Sequence, residues 1–191
     1  MFDVKGAIEN SIATKKKVID FCLNDIQSSV ELMIRTAKEN KSIFWCGNGG
    51  SAADSQHMAA ELMGGLRSHD RRPIKSIALT TDSSFITAWS NDTSYDEIFS
   101  RQLDALGEKG DLVVAISTSG NSKNIVNAVH KAQEIGMSTI SFTGQNDSKI
   151  KELSQICLQS PSTITPRIQE IHILFGHIIC QLVEEKIFPN V

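Results

Sequence analysis

Short apolar runs alternate with segments of helical periodicity along this sequence, and this alternation is the strongest constraint on its fold. The clearest run is Leu112–Ile116, which ends at a stretch of hydroxyl side chains. Such runs are typical of buried strands in a parallel sheet, because helices cover both faces of that kind of sheet. Further strands are predicted at Ile43–Cys46, Ile74–Leu79, Ser138–Phe142 and Ile156–Leu158. The pattern predicts an α/β fold, a three-layer αβα sandwich around a mainly parallel five-stranded sheet.

Long helices are expected at both ends of the chain. In the first forty residues, apolar side chains recur at steps of three and four, which is the spacing of one helix face. The stripe comprises Ile19, Cys22, Leu23, Ile26, Val30, Met33 and Ala37, and Ile8 and Ile12 indicate an earlier helix. The last helix is predicted to begin at Pro166 and to extend to about Lys186. With 191 residues, the chain is expected to form a single domain over residues 1–191.

Composition argues against several classes of protein. The formal net charge is −3, whereas a general nucleic-acid-binding protein carries a strong basic excess. No apolar run reaches the length of a membrane-spanning helix, and the first residues do not resemble a signal peptide. The four cysteines are scattered, as expected of free thiols in the cytoplasm. We therefore expect a cytoplasmic protein that binds neither nucleic acid nor membrane, and we interpret the basic segment Arg67–Arg72 as a solvated loop.

Two predicted strands end in loops suited to binding an anion. Gly47–Ser51 (the glycine loop) follows the first strand and Ser117–Ser122 (the serine loop) follows the central one, and each leads into a helix. Glycines let the backbone approach a ligand, hydroxyls donate hydrogen bonds, and the N–H groups at a helix start attract negative charge. Both loops are expected at the carboxyl edge of the sheet, where ligands bind in parallel folds.

Three interpretations of these loops are open: ordinary turns, a dinucleotide site and a phosphosugar site. Gly47, Gly49 and Ala52 match the dinucleotide pattern, but the acidic residue expected about twenty positions later is missing, and Asp82 lies too far along the chain. We favour the phosphosugar site, with the phosphate at the serine loop and the sugar hydroxyls near the glycine loop.

Two predicted helices carry side chains that suit a metal or an acid and base. His57 and Glu61 are four residues apart and share one helix face, as metal ligands, as an acid–base pair or simply as an exposed pair. Gln169 and His177 lie eight residues apart on the last helix, with about 12 Å of helix rise between them, and they could bracket one ion or substrate. The remaining histidines, His69, His130 and His172, are interpreted as structural.

Four segments together resemble the phosphoheptose isomerases of the sugar isomerase (SIS) domain family. They are CGNGGSAADSQHMAAEL, SNDTSYDEIFSRQL, GDLVVAISTSGNSKNIVNA and TPRIQEIHILFGHIICQLVE, in the same order along nearly the whole chain. The resemblance implies the SIS fold and the conversion of D-sedoheptulose 7-phosphate to D-glycero-D-manno-heptose 7-phosphate in bacterial heptose biosynthesis, for lipopolysaccharide or capsule. It also implies a cytoplasmic homotetramer with sites between subunits and one zinc ion per subunit, with residues 1–40 serving mainly in oligomerisation.

The resemblance also implies roles for individual positions. The matching metal ligands are His57, Glu61, Gln169 and His177, and Glu61 and His177 match the catalytic base and the catalytic acid/base. The matching substrate contacts are Asn48, Gly49, Gly50, Ser51, Glu61, Asn91, Asp92, Ser117, Thr118, Ser119, Ser122 and Gln169. Two positions depart from the family pattern, since Gly65 stands where many members have an arginine and Pro166 where some have an aspartate.

The expected reaction is an aldose–ketose isomerisation through an enediol. One base that reaches two adjacent carbons can move the proton between them, and Glu61 is the candidate. His177 suits proton transfer at the two oxygens because an unperturbed imidazole titrates near neutral pH. The alternative is a non-catalytic SIS-domain protein resembling the one that associates with the bacterial replication initiator. That relative lacks the metal and acid–base set, whereas this chain has all four of those residues.

Overall fold

The computed structural model describes residues 2–190 and contains the predicted alternation of strands and helices. The strands are β1 (Ile43–Gly47), β2 (Ser76–Ala78), β3 (Leu112–Ile116), β4 (Ser138–Thr143) and β5 (Ile156–Gln159). The helices are α1 (Val4–Phe21), α2 (Leu23–Lys38), α3 (Gly50–Gly64), α4 (Ser83–Asp92), α5 (Ile98–Leu106), α6 (Lys123–Ile135), α7 (Lys149–Leu153) and α8 (Thr165–Ile187), with a 3₁₀ turn at Tyr95–Glu97. All five predicted strands are confirmed, although β2 is shorter than predicted and the sequence pattern did not indicate α7.

The five strands form one parallel sheet in the order β2-β1-β3-β4-β5. In its centre, Trp45 pairs with Val114, which pairs with Ile140. Every residue of β1 and β3 is buried, as expected of strands covered on both faces. The last residues of β1 and β3 are also partners, Gly47 opposite Ile116. The loops that follow these two strands therefore leave the sheet side by side.

Alternate side chains of the strands enter two separate cores, one on each face of the sheet. On one face, Trp45 and Val114 pack with α2, α3 and α8. On the other face, Phe44 and Val113 pack with α5, α6 and α7. This arrangement follows from the period of two along a strand, and it confirms the predicted three-layer sandwich.

The predicted apolar stripe from Ile19 to Ala37 does not form one continuous helix face. The chain leaves helical geometry at Cys22, where α1 ends and α2 begins, so residues on either side no longer point the same way. Ile26 and Met33 are buried as predicted, but Ile19 is 64% exposed and Leu23 is 55% exposed. Within residues 2–190, no helix is both long and apolar enough to cross a membrane.

The interpretation of Arg67–Arg72 as a solvated loop is wrong for Arg71. The side chains of Arg71 and Glu184 are 0% and 4% exposed, and Arg71 Nε lies 2.9 Å from Glu184 Oε2. The Glu184 carboxylate also accepts three backbone N–H groups, those of Leu66, Arg67 and Ser68. Burial of the arginine is possible because α8 supplies the opposite charge, and a partner so distant in sequence cannot be read from local composition.

Candidate functional site

The glycine loop joins β1 to α3 at the carboxyl edge of the sheet. Gly49 adopts a positive φ of 56°, which an L side chain rarely tolerates. Gly47 has no room for a side chain, because a Cβ there would lie 2.5 Å from the backbone oxygen of Ser51. At the start of α3, the N–H groups of Ser51, Ala52 and Ala53 donate to the Asn48 and Gly49 carbonyl oxygens, so the donors left for a ligand are those of Gly49 and Gly50. The loop thus presents backbone donors and the positive end of a helix dipole at the edge where ligands bind.

α3 and α8 run side by side and bring three of the predicted residues together. His57 Nε2 lies 2.9 Å from Glu61 Oε1, as the four-residue spacing on α3 predicts. His177, on α8, places its Nε2 3.5 Å from His57 Nε2, and the two rings are nearly perpendicular with centroids 4.9 Å apart. One ligand atom from each of the three residues lies within 4.8 Å of the others. We call these residues the His–Glu–His cluster.

Gly176 explains how the two helices approach closely enough for this contact. A Cβ at Gly176 would lie 2.3 Å from the Met58 sulfur, so a larger residue would force the Met58 side chain to move or α8 away from α3. Further toward the start of both helices, the Gln169 amide lies against Gly50, with Nε2 2.7 Å from the position of a Cβ there. The structure therefore places the Gln169 amide, near the start of α8, against the first turn of α3. The described contacts of its amide are with the glycine loop.

Asp54 is a candidate site residue that the sequence reasoning missed. It lies one turn before His57 on α3, and its pKa is raised because the carboxyl group is partly buried, while the charges of His57 and His177 act in the opposite direction. That electrostatic coupling places Asp54 beside the His–Glu–His cluster. The three-residue spacing between Asp54 and His57 is a signal that could have found it, since residues three apart are neighbours on a helix face.

The serine loop brings three of its hydroxyl groups together. Ser117 Oγ lies 3.2 Å from Ser122 Oγ and 3.5 Å from Ser119 Oγ, and it also accepts the N–H of Gly120. A cavity of about 370 Å³ opens beside the loop. Its lining is hydroxyl- and amide-rich, with one exposed carboxylate, Asp147, and includes Thr118, Ser119, Asn121, Gln145, Ser162 and Thr165. Such a lining can bind an anion through neutral donors, which agrees with the absence of a basic excess in the sequence.

Asn48 and Ser51 are predicted substrate contacts whose side chains lie within the protein's own structure. The Asn48 amide pairs with Asn124 and Tyr95. Ser51 is 3% exposed and begins the buried side of α3. The backbone of the glycine loop, rather than these side chains, is therefore its main ligand-facing surface. Neither Asn124 nor Tyr95 was singled out from the sequence.

The structure does not bring Asn91 and Asp92 into the His–Glu–His cluster. Both are exposed at the end of α4, where the Asn91 amide donates to Asp92 at 2.8 Å. No residue of α4 is buried. Their predicted contact with substrate therefore depends on α4 being covered by a ligand or by another chain.

His172 has the structural role predicted from its position on α8. It is 1% exposed, its Nε2 lies 3.0 Å from the Thr143 carbonyl oxygen, and burial lowers its pKa to about 4. It is therefore neutral at physiological pH and ties α8 to the end of β4. His130 and His69 are exposed and lie outside the cluster.

Known proteins of similar sequence belong to one domain family. The sequence profile of the SIS domain matches residues 8–144. The phosphoheptose isomerase of Aliarcobacter butzleri is 48% identical over 174 residues, covering 91% of this chain and 92% of the relative. The Clostridium acetobutylicum phosphoheptose isomerase is 46% identical, covering 97% and 95%.

Solved structures show the same likeness in three dimensions. The phosphoheptose isomerase GmhA from Neisseria gonorrhoeae superposes with a TM-score of 0.90 at 39% identity, covering 95% of this chain and 97% of that one. Sequence identity of this order over almost complete chains, together with the same fold, establishes kinship. This chain therefore belongs to the phosphoheptose isomerase family of SIS-domain proteins.

Proposed function

We propose that this protein converts D-sedoheptulose 7-phosphate to D-glycero-D-manno-heptose 7-phosphate, as a sugar-phosphate isomerase of bacterial heptose biosynthesis. The observation that carries the proposal is the His–Glu–His cluster, two of whose members lie on the helix that begins at the glycine loop. Relatives that share almost the whole chain bear the name phosphoheptose isomerase. The cluster supplies proton-transfer groups, and a non-catalytic SIS-domain protein would have no use for them.

In the proposed mechanism, Glu61 moves a proton between the two reacting carbons. A carboxylate has two oxygens, and the contact with His57 engages only Oε1, so the other oxygen is available to a substrate. His177 moves protons at the substrate's oxygens, for which an imidazole on the neighbouring helix is suited. Asp54, whose pKa is raised chiefly by burial, lies one turn before His57 on the same helix, and the charges of both histidines act on its carboxyl group.

The proposed phosphate site is the serine loop with the start of α6. Ser117, Thr118, Ser119 and Ser122 provide hydroxyl donors, and the helix that follows adds N–H groups. In Ser117→Ala and Ser122→Ala variants we expect KM to rise before kcat falls, because the hydroxyls bind the non-reacting end of the substrate. Ser100→Ala, which removes a hydroxyl that donates to the Glu97 carbonyl oxygen at the start of α5, serves as the control. A pure kcat effect would contradict this role of the loop.

The residues of the cluster fit a zinc ion. Two nitrogens that each bind a tetrahedral zinc at about 2.05 Å lie about 3.3 Å apart, and the His57–His177 separation is 3.5 Å. His57, Glu61 and His177 would hold the ion with Gln169 as a fourth ligand, and the bound metal would supply Lewis-acid polarisation of a carbonyl oxygen. The test is zinc titration calorimetry. His57→Gln should weaken binding at least tenfold, whereas the exposed His130→Gln should leave it unchanged, and equal affinities would contradict the site.

We further propose that a second copy of the chain covers an apolar groove between α1, α2 and α8, as part of a homotetramer with sites between subunits. The groove has a volume of about 960 Å³ and is lined by residues that include Ile19, Leu23, Ile34, Ile178 and Leu182. Exposed apolar side chains this concentrated mark an interface, and residues 1–40 contribute many of them. The proposed role of residues 1–40 is therefore mainly oligomerisation.

Light scattering of variants tests the assembly. Leu23→Glu places a charge in the groove and should reduce the molar mass of the particle. Leu106→Glu is the matched control, because Leu106 is 54% exposed, like Leu23 at 55%, but lies outside the groove. An unchanged mass in Leu23→Glu would contradict the proposal. The four cysteines are free thiols, three of them buried, which supports a location in the cytoplasm.

The decisive assay is incubation of purified protein with sedoheptulose 7-phosphate and detection of the aldose product. Glu61→Gln and His177→Gln should abolish turnover while circular dichroism shows an intact fold. His130→Gln controls for the loss of a histidine and should retain wild-type rates, since its side chain is exposed and remote from the cluster. Near-normal rates in both site variants would refute the assignment.

A further inference from the structure

An asparagine pair, in which Asn124 is buried and Asn48 is half-buried, joins the glycine loop to the helix that follows the serine loop. Asn48 Nδ2 donates to Asn124 Oδ1 at 2.9 Å, and Asn124 Nδ2 donates back to Asn48 Oδ1 at 2.8 Å. Asn124 is 2% exposed. Two amides that each donate and accept form a bridge with a fixed distance and a fixed plane, and a buried amide left without its partner would be costly.

The bridge connects the two halves of the proposed site. Asn48 directly precedes Gly49, where the chain turns into α3 and so leads to His57 and Glu61. Asn124 lies in the first turn of α6, two residues after Ser122, whose hydroxyl belongs to the serine loop. The backbone pairing of β1 with β3 ends at Gly47 and Ile116, where the two loops begin. Beyond that point, the asparagine pair takes over the link between the two segments.

A third group fixes the orientation of the pair. The Tyr95 hydroxyl donates to Asn48 Oδ1 at 2.9 Å, so this oxygen accepts two hydrogen bonds. Since both donors point at the same atom, the Asn48 amide has one orientation that satisfies the network. Its Nδ2 keeps a single free hydrogen. Asn48 is thus held by the protein and does not adjust freely to a substrate.

We propose that Asn124 is a positioning residue of the isomerase, which sets the distance between the phosphate-binding serine loop and the acid–base groups on α3. This inference rests on the proposed function. If the phosphate is held at one loop and the reacting carbons at the other, the separation of the loops decides whether the carbons reach Glu61. A misplacement of about 1 Å can cost about 100-fold in rate. Since the serine hydroxyls remain in an Asn124 variant, the loss falls on kcat rather than on KM.

The experiment compares steady-state kinetics of Asn124→Ala, Asn48→Ala and the double variant in the full-length protein. We expect kcat to fall about 100-fold in each single variant with KM within about threefold of wild type. The double variant should be no slower than either single variant, because both remove the same bridge. Gln133 lies at the far end of α6, and its side-chain amide donates a hydrogen bond to the Leu153 carbonyl oxygen. Gln133→Ala removes that bond and should leave both constants unchanged.

Two milder variants keep the test valid if alanine at position 124 prevents folding. Asn124→Asp keeps the shape but loses the donor to Asn48, and Tyr95→Phe removes one bond at a half-exposed residue. A fall in kcat of threefold or more at unchanged KM supports the proposal. Unchanged kcat in both variants, or a loss confined to KM, overturns it. Wild-type turnover of sedoheptulose 7-phosphate reports on the proposed function alone, whereas the ratio of variant to wild-type rates reports on Asn124.

Discussion

Replacing Glu184 by glutamine removes one charge from a buried network that holds the two site helices together. Glu184 lies on α8 and pairs with Arg71, whose Nη2 in turn donates to the Glu61 carbonyl oxygen near the end of α3 at 2.9 Å. The carboxylate also accepts the backbone N–H groups of Leu66, Arg67 and Ser68 at 2.9–3.0 Å. Arg71 Nε lies 2.9 Å from Glu184 Oε2, so the two opposite charges are in direct contact.

The expected loss of stability follows from burial of both charges. With side-chain exposures of 0% and 4%, Arg71 would keep a buried charge without a counter-ion, which costs about 3–5 kcal/mol. Glutamine keeps the shape of Glu184, but its NH₂ group would face backbone N–H donors that need an acceptor. For a chain of this length, each kcal/mol lowers Tm by about 2–4 °C, so the variant should melt about 6–20 °C lower.

Thermal and urea unfolding at pH 7 and one fixed protein concentration measure this effect, because subunit association makes Tm depend on concentration. Glu134→Gln, whose side chain is 65% exposed and pairs with Lys131 on α6, is the control and should not change Tm measurably. If Glu184→Gln lost less than about 1 kcal/mol, the assignment of this pair as a buried clamp would be refuted.

Acid should weaken the same clamp. Burial alone would raise the pKa of Glu184, but hydrogen bonds from the Leu66 N–H, the Arg71 guanidinium and the other two N–H groups outweigh it and lower the pKa below the ordinary value of 4.5. A carboxylate with a lowered pKa stabilises the fold above its ordinary value, and the contribution is lost as the pH falls through the lowered value. The difference between wild type and Glu184→Gln should therefore shrink below pH 4.5.

Two further perturbations test other parts of the structure. In Gly120→Ala, the new Cβ would lie 2.1 Å from Ser148 Oγ at a residue with φ of 63°, so the serine loop must shift, and calorimetry should show weaker inorganic phosphate binding; unchanged affinity would contradict the described loop. For His172, burial lowers the pKa from 6.5 to about 4, so the unfolded chain gains a proton that the folded chain does not, and stability should fall as the pH decreases from 6.5 to about 4. His172→Gln should lose less stability than wild type between pH 7 and pH 5, as measured by the unfolding free energy in urea. An equal loss in both proteins would refute the buried neutral state.

The strands and the two loops that follow β1 and β3 could be predicted because their signals are local. An apolar run such as Leu112–Ile116 can bury both faces only in a covered sheet, and a loop that follows a parallel strand must lie at the carboxyl edge. The pairing of His57 with Glu61 is also local, since one helix turn separates them. The roles of individual residues in the reaction came from resemblance to a family and not from these patterns.

By itself, the sequence determined the layers of the fold, the edge that carries the ligand loops and the helix face that carries His57 and Glu61. Only the tertiary structure decided which distant groups meet: His177 with His57, Glu184 with Arg71, and Asn124 with Asn48. The physical reason is that periodicity specifies which way a side chain points within its own element. Contacts between elements depend instead on how closely backbones approach, as at Gly176, and on which buried charge or amide finds a partner there.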